Sequence, residues 1–156
     1  MKIRTANVAD AKTISGIIRS LSQSFFTAPD GKGAEAFLES ISETAVAGYI
    51  ARGNFAYYVC EEMGEIVGIV AVRDNRHLYH LFVLSTCQRR QLGRKLWENA
   101  KEIAIASGNP GEFTVNSSLN AVPVYESFGF KPTSDVMQAN GVSFLPMALS
   151  IRHASN

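Results

Sequence analysis

Hydrophobic residues along the chain switch between helical spacing and the two-residue spacing of strands. Residues 3–5 predict a short first strand. Apolar residues at intervals of three and four then predict a helix that Asn7 can cap, with Asp10 three residues later in its first turn. A loop follows at residues 22–33. A second helical stretch then reaches Ile50, with Ser42 as a candidate cap that divides it.

The middle of the chain predicts three consecutive strands. Residues 55–60 and 66–73 form a hairpin through Met63 and Gly64, and residues 77–84 form the third strand. A helix over residues 91–106 and a strand over residues 113–116 come next. Because a strand–helix–strand crossover joins parallel strands, we expect the strands at 77–84 and 113–116 to be parallel neighbours.

The last third predicts one short helix and a final hairpin. Asn120 is a candidate cap for the helix, and Gly129 ends it. Residues 131–138 and 142–151 form the hairpin, in which Pro146 indicates a bulged or edge strand. The order β-α-α-β-β-β-α-β-α-β-β therefore predicts an α/β fold, an α+β mixed sheet with helices on both faces.

Composition narrows the class of protein. The chain has 156 residues, of which 46% are hydrophobic and 19% charged, so it is long enough for one core and too apolar for disorder. The net charge of +1 argues against binding to nucleic acid. No apolar run approaches the ~20 residues that span a bilayer, which argues against a membrane protein. The polar N-terminus argues against a signal peptide for secretion. Two cysteines without CxxC spacing and three histidines argue against a metal. We expect one cytoplasmic domain over residues 1–156, with a homodimer left open.

One segment is strongly basic. Between Arg73 and Lys101, seven basic residues oppose two acidic ones, which leaves +5. The segment includes a strand-to-helix turn, and the unpaired N–H groups of a helix start attract anions. A solvated helix face is the simpler interpretation of such a cluster, but the turn favours an anion site. The P-loop and dinucleotide-binding glycine motifs are both missing here.

Two motifs carry a resemblance to a known family. Residues 88–93, Gln-Arg-Arg-Gln-Leu-Gly, resemble the Q/R-x-x-G-x-G/A signature of the GNAT superfamily of N-acetyltransferases. Asn116 to Ala121, followed by Tyr125 to Phe130, resemble the second signature of that family. The element order also matches from end to end, so the resemblance covers essentially the whole chain. It implies a GNAT-like acyl-CoA N-acyltransferase fold in which the fourth and fifth strands splay apart.

The resemblance also implies a cofactor, acetyl-CoA as co-substrate, and no metal. The pyrophosphate would lie on the amides of residues 89–94, and the pantetheine arm would bond to the edge of the fourth strand like an added strand. Asn120 would either cap its helix or also touch the cofactor. The cofactor-binding residues implied are Phe82, Val83, Gln88, Arg89, Arg90, Gln91, Leu92, Gly93, Arg94 and Asn120.

Two residues are candidates for catalysis. Tyr125 matches the general acid of the family, which protonates the leaving thiolate; the alternative is that it only packs on the sheet. His77, or a chain of waters, would take the proton from the attacking amine. Strict alternation along the strand puts His77 and Tyr79 on one face with Leu81 and Val83, and His80 on the other.

The resemblance implies that the acceptor is a small-molecule amine or a protein amine. Phe25 and Phe26 lie in a loop at the substrate-recognition position of the family, although one of the two rings could instead pack into the core. Tyr79 is a candidate wall of the acceptor pocket. The resemblance thus implies direct transfer of an acetyl group to a primary amine.

One departure from the signature supports a second hypothesis. Gln91 stands where the family usually has its first glycine, which favours a catalytically weak or inactive acyl-CoA-binding regulatory module of the same fold. A nucleotide-binding regulator is a more distant third class, because a magnesium-binding motif is missing from the sequence. Release of CoA thiol in the presence of amines would separate an enzyme from a binding module.

Overall fold

The computed structural model describes residues 1–88 and 91–151. Single 3₁₀ turns precede or follow several of the helices. The helices are α1 (Ala11–Ser20), α2 (Glu35–Ser40), α3 (Glu43–Ala51), α4 (Leu92–Ala106) and α5 (Val122–Ser127). The strands are β1 (Lys2–Thr5), β2 (Phe55–Glu62), β3 (Glu65–Arg73), β4 (His77–Val83), β5 (Glu112–Ser117), β6 (Lys131–Pro132), β7 (Met137–Ala139) and β8 (Val142–Ser150).

The strands form one mixed sheet in the order β1-β2-β3-β4-β5-β8-β6, and β7 also pairs with β8. Neighbouring strands are antiparallel except β4 and β5, which are parallel with His77 opposite Thr114 and Leu78 opposite Val115. The mixed sheet and the parallel pair expected from the sequence are both confirmed.

Helices cover both faces of the sheet. On one face, Ile14 and Ile18 of α1 and Val46 of α3 are fully buried against the sheet. On the other face, Leu96 and Trp97 of α4 pack against β3, β5 and the end of α5. This second face carries the larger of the two cores. Among the described residues, no helix is long and apolar enough to span a membrane.

Several local signals in the sequence are confirmed. The Asn7 side chain accepts a hydrogen bond from the Ala9 N–H, and the Asp10 carboxylate accepts one from the Asn7 N–H. Ser42 does divide the second helical stretch, because its hydroxyl accepts the Ala45 N–H and starts α3.

The final strands differ from the expected hairpin. The stretch expected as one strand at 131–138 is broken into β6 and β7, and β8 lies inside the sheet between β5 and these two. Pro146 explains the break. Its carbonyl accepts a hydrogen bond from the Thr133 N–H, so the backbone of Pro146 faces β6 and β7. Because proline has no N–H to donate on that side, residues 133–136 leave the ladder with β8. Pro146 therefore marks a gap in the neighbouring strand, and the expectation of an edge strand was wrong.

Candidate functional site

β4 and β5 diverge after their first two paired residues, which opens a gap in the sheet. Their pairing ends at Leu78 and Val115. On the other side of β4, the N–H of the next residue, Leu84, donates to the Val67 carbonyl in β3. The backbone N–H and C=O groups of successive residues in an antiparallel strand point to alternate sides. The backbone groups of Leu81 and Val83 therefore point into the gap. The Gln88 side-chain amide donates to the Val83 carbonyl at 2.8 Å. The Phe82 backbone faces β3 by the same alternation.

A cavity of about 810 Å³ lies along this gap on the α4 side. It runs from the open edge of β4 to the first turn of α4 and to α5. The part of the chain that the structure describes lines it with Leu21, Ser24, Leu81, Phe82, Val83, Ser85, Gln88, Gln91, Leu92, Gly93, Arg94, Ser118, Asn120, Ala121, Val124, Tyr125, Ser127 and Phe128. All the described residues that the sequence implied for cofactor binding are in this lining. Arg89 and Arg90 lie outside the described residues.

The start of α4 presents free backbone donors to the cavity. The Lys95 N–H makes the first bond of the helix, to the Gln91 carbonyl, so the N–H groups of Leu92, Gly93 and Arg94 have no partner within the helix. A Cβ on Gly93 would lie 3.9 Å from Val83, so the turn also sits close to β4. The positive end of a 15-residue helix therefore faces the cavity.

Gln91 adopts a backbone conformation that glycine enters more readily than other residues. Its φ is 62° and its ψ is 19°, in the left-handed region, and its side chain is exposed. A non-glycine residue there costs about 1–2 kcal/mol. The expected helix start at residue 91 shifts to Leu92 for this reason.

The described basic residues of the segment do not all lie at this turn. Arg94 lies there: its guanidinium is 5.1 Å from the Phe128 ring centre and 3.4 Å from the Ser127 carbonyl, so it spans from α4 to α5. Arg73 and Arg76 lie at the opposite end of β4, where both lower the pKa of His77. Among the described residues, the segment therefore places positive charge near both ends of the strand.

Tyr125 is buried on the wall of this cavity. Its ring packs edge-to-face against Phe128 and Phe130, and burial raises the pKa of its hydroxyl, so it stays protonated at neutral pH. Among the described residues, its hydroxyl makes no hydrogen bond. Asn120 was expected as a cap but lies inside the 3₁₀ turn Leu119–Ala121, and α5 has no side-chain cap. Pro123 in the first turn removes one of the N–H groups that a cap would serve.

A β-bulge in β4 changes which side chains share a face. Ala71 lies opposite His80 and Val72 opposite Leu78, so Tyr79 is an extra residue. The rings of Tyr79 and His80 lie on the same side, with centres 4.3 Å apart, whereas Leu81 and Val83 pack into the α4 core. The expected faces were therefore wrong, because strict alternation requires one-to-one pairing.

A second cavity of about 200 Å³ lies on the opposite side of the sheet, beside the bulge. Phe82 is in the lining of both cavities. Phe25 lines the second cavity, whereas Phe26 packs edge-on against Phe37 and lies outside the lining. The described residues that line it are Phe25, Phe37, Ser40, His77, Leu78, Tyr79, His80, Phe82, Asn116, Val142 and Phe144.

Both histidines of the second cavity are neutral at physiological pH. Burial, helped by Arg73 and Arg76, lowers the pKa of His77 to about 4, and its Nδ1 lies 2.7 Å from the Thr114 hydroxyl. Burial lowers the pKa of His80 to about 3, and its Nδ1 lies 3.0 Å from the Tyr57 hydroxyl. His77 can accept a proton at Nε2 when its Nδ1–H donates to Thr114.

Sequence reasoning missed much of the second cavity. His80 was assigned to the other face because the bulge leaves no mark in the hydrophobic pattern. Phe37 carried a helical-face signal only, and Val142 and Phe144 reach the cavity from β8, which begins 59 positions after β4 ends. Tertiary packing alone brings these side chains together.

Comparison with known proteins agrees with this geometry. The sequence matches the family described as an acetyltransferase (GNAT) domain over residues 25–151. No curated protein matches significantly.

Solved structures share the fold at low sequence identity. A GCN5-related N-acetyltransferase from Rhodopseudomonas palustris is 19% identical with a TM-score of 0.79, over 96% of this chain and 95% of that one. PaiA N-acetyltransferase from Thermoplasma acidophilum, in complex with coenzyme A, is 16% identical with a TM-score of 0.77, over 96% and 98%. YncA from Salmonella typhimurium, a putative acetyltransferase solved with acetyl-CoA, is 21% identical with a TM-score of 0.71, over 100% and 97%.

Proposed function

The chain belongs to the GNAT acetyltransferase family, and we propose that it transfers an acetyl group directly from acetyl-CoA to a primary amine. The observation that carries this proposal is the pair of cavities on opposite sides of the sheet, both lined by Phe82 where β4 and β5 diverge. One cavity suits the donor and the other the acceptor, so that the two substrates meet at the gap.

The lining of the first cavity fits acetyl-CoA. The free donors of Leu92, Gly93 and Arg94 suit a pyrophosphate, and the Arg94 guanidinium adds a positive charge. The open backbone edge at Leu81 and Val83 suits the amides of a pantetheine arm. Phe82, Gln88, Gln91, Leu92 and Asn120 complete the walls. Two of the solved relatives carry coenzyme A or acetyl-CoA.

Different side chains of this protein carry out the two proton transfers of the reaction. The amine nitrogen forms the C–N bond with its lone pair, and the C–S bond breaks with its electrons going to sulfur. The Val83 N–H stabilises the negative charge that develops on the carbonyl oxygen. His77 Nε2 takes the proton that the nitrogen loses, and the Tyr125 hydroxyl gives one to the sulfur. His77 then releases its proton to solvent and Tyr125 regains one, so the products are an acetamide and CoA thiol.

Release of CoA thiol tests this proposal. With acetyl-CoA and a panel of primary amines, we expect thiol release that depends on both the amine and the protein, and calorimetry should show acetyl-CoA binding without an amine. Binding without release by any amine would favour the regulatory module. Absence of acetyl-CoA binding at millimolar concentration would contradict both functions.

The role of His77 predicts a specific pH dependence. Because its pKa is lowered to about 4, His77 is already deprotonated above that pH and loses its function only as the pH falls through about 4. His77→Gln should lower kcat by about 10²-fold, the lower end for a positioned base. The measurement is the ratio of wild-type to His77→Gln kcat at saturating substrates, in which ionisation of the amine cancels.

This ratio should stay constant from pH 8 to pH 5.5. His80→Gln is the matched comparison, since it removes the other imidazole of the same cavity. A ratio that falls with a midpoint near 6.5 would contradict the lowered pKa, and a ratio near one throughout would point to a chain of waters as the proton acceptor.

A further inference from the structure

The second cavity has an unusual lining for a site that takes an amine. Aromatic rings reach it from four separate parts of the fold: Phe25 before α2, Phe37 in α2, Tyr79 and Phe82 in β4, and Phe144 in β8. The polar groups in the lining are neutral: a serine, an asparagine and two histidines of lowered pKa. Among the described lining residues there is no aspartate or glutamate.

Two arginines contact aromatic rings at or beside the cavity, and Arg73 also pairs with Asp74 at 3.6 Å. The Arg73 guanidinium lies 5.4 Å from the centre of the Tyr79 ring. The Arg52 guanidinium lies 5.6 Å from the centre of the Tyr49 ring, and the Tyr79 hydroxyl donates a hydrogen bond to the Tyr49 hydroxyl. Arg73 and Arg76 lower the pKa of His77 more than Asp74 raises it. An acceptor with a second ammonium group would therefore lose water and find no carboxylate among the described lining residues.

The same lining helps a monoamine to react. An alkylammonium has a pKa of about 10.4 in water, and burial without a counter-charge lowers it, which favours the neutral nucleophile. Before deprotonation, the faces of the surrounding rings attract the cation weakly. A carboxylate would bind the ammonium more tightly but would hold it in its unreactive form.

The size of the cavity limits the acceptor. Its volume of about 200 Å³ is smaller than the roughly 300–1,000 Å³ of pockets for drug-sized ligands. Its far wall is held in place by backbone contacts, because the Thr27 N–H donates to the Gly141 carbonyl at 2.9 Å and Phe26 bridges to Val142. Aromatic walls of this kind pack best against another ring.

We infer that the acceptor is a small monoamine whose amino group is carried on a short chain by an aromatic ring. This inference rests on the proposed acetyl transfer and narrows its substrate class. Polyamines and other polycationic acceptors are poor substrates on this view, because their second charge has no partner in the cavity.

A comparison of three amines with the wild-type chain tests the inference. The measured quantity is kcat/KM for CoA thiol release at saturating acetyl-CoA. We expect the kcat/KM for 2-phenylethylamine to be about 10²-fold higher than that for putrescine, the discrimination that burial of one aromatic group supplies. The kcat/KM for 2-phenylethylamine should also be about tenfold higher than that for n-butylamine, because butylamine has no aromatic ring to pack against the walls of the cavity.

A carboxylate placed in the wall should shift the preference. Phe144→Asp is expected to lower kcat/KM for 2-phenylethylamine and raise it for putrescine, so that the ratio falls at least tenfold. Met137→Asp is the control, because Met137 pairs with Phe144 across β7 and β8 but is exposed and lies outside the lining. If Phe144→Asp does not fold, the wild-type panel still decides.

The outcomes separate the two claims. Putrescine used as well as or better than 2-phenylethylamine would overturn the inference and leave acetyl transfer standing. Butylamine equal to 2-phenylethylamine would overturn the aromatic requirement. Acetyl-CoA binding without thiol release by any amine would overturn the proposed function, and the inference with it.

Discussion

Replacing Tyr125 with phenylalanine is expected to lower kcat by about 10²–10⁴-fold, the usual effect of removing a positioned acid. The hydroxyl is buried on the wall of the first cavity and has a raised pKa, so it is protonated over the whole neutral range. Phenylalanine keeps the ring and therefore its packing against Phe128 and Phe130. The measurement is kcat at saturating substrates, with acetyl-CoA affinity followed by calorimetry.

Acetyl-CoA affinity and the urea midpoint should change little in this variant. Tyr58→Phe is a suitable control, because it removes a half-buried tyrosine hydroxyl of β2 that lines neither cavity. A Tyr125→Phe variant that keeps wild-type kcat with chemistry rate-limiting would show that the sulfur is protonated by another group.

Gly141→Ala is expected to lower the free energy of unfolding by about 2–5 kcal/mol, from left-handed strain and overpacking together. The φ of Gly141 is 76°, and a Cβ there would lie 2.4 Å from the carbonyl carbon of Gly33 and 2.6 Å from the Ala34 nitrogen. These are backbone atoms, so the loop or the hairpin has to move. Because Val142 and Phe144 follow directly, the KM for the amine should also rise, while acetyl-CoA affinity is retained.

Gly64→Ala provides the matched control. Gly64 has a φ of 81° in the β2–β3 turn, and its added Cβ would meet nothing within 4 Å, so it reports left-handed strain alone. Urea unfolding should show a larger loss for Gly141→Ala than for Gly64→Ala. Equal losses in the two variants would mean that the contact with Gly33 contributes no stability.

Local signals in the sequence account for most of the fold. The capping box at Asn7, the cap at Ser42 and the turn at Met63 and Gly64 act through neighbouring residues, and all are present in the structure. The bulge at Tyr79 and the break beside Pro146 depend on how one strand meets another. Hydrophobic alternation carries no information about such pairing, so both were missed.

The two cavities also differ in how far local sequence signals indicate them. The first is built largely from two contiguous segments, the described part of residues 81–94 from β4 into α4 and residues 118–128 around α5, so that sequence motifs indicate it. The second assembles side chains from a 3₁₀ turn, a helix and strands that lie far apart in the chain. Its residues follow from the order of strands in the sheet, which a single sequence does not display.

The contact between Gly33 and Gly141 has an evolutionary consequence. It joins backbone to backbone, so no side chain of the second cavity takes part in it. Phe25, Phe37 and Phe144 can therefore be exchanged while this backbone contact is kept, and none of the three lines the first cavity. A lineage that keeps these two glycines is free to acquire new acceptors through a few substitutions while its donor chemistry stays the same.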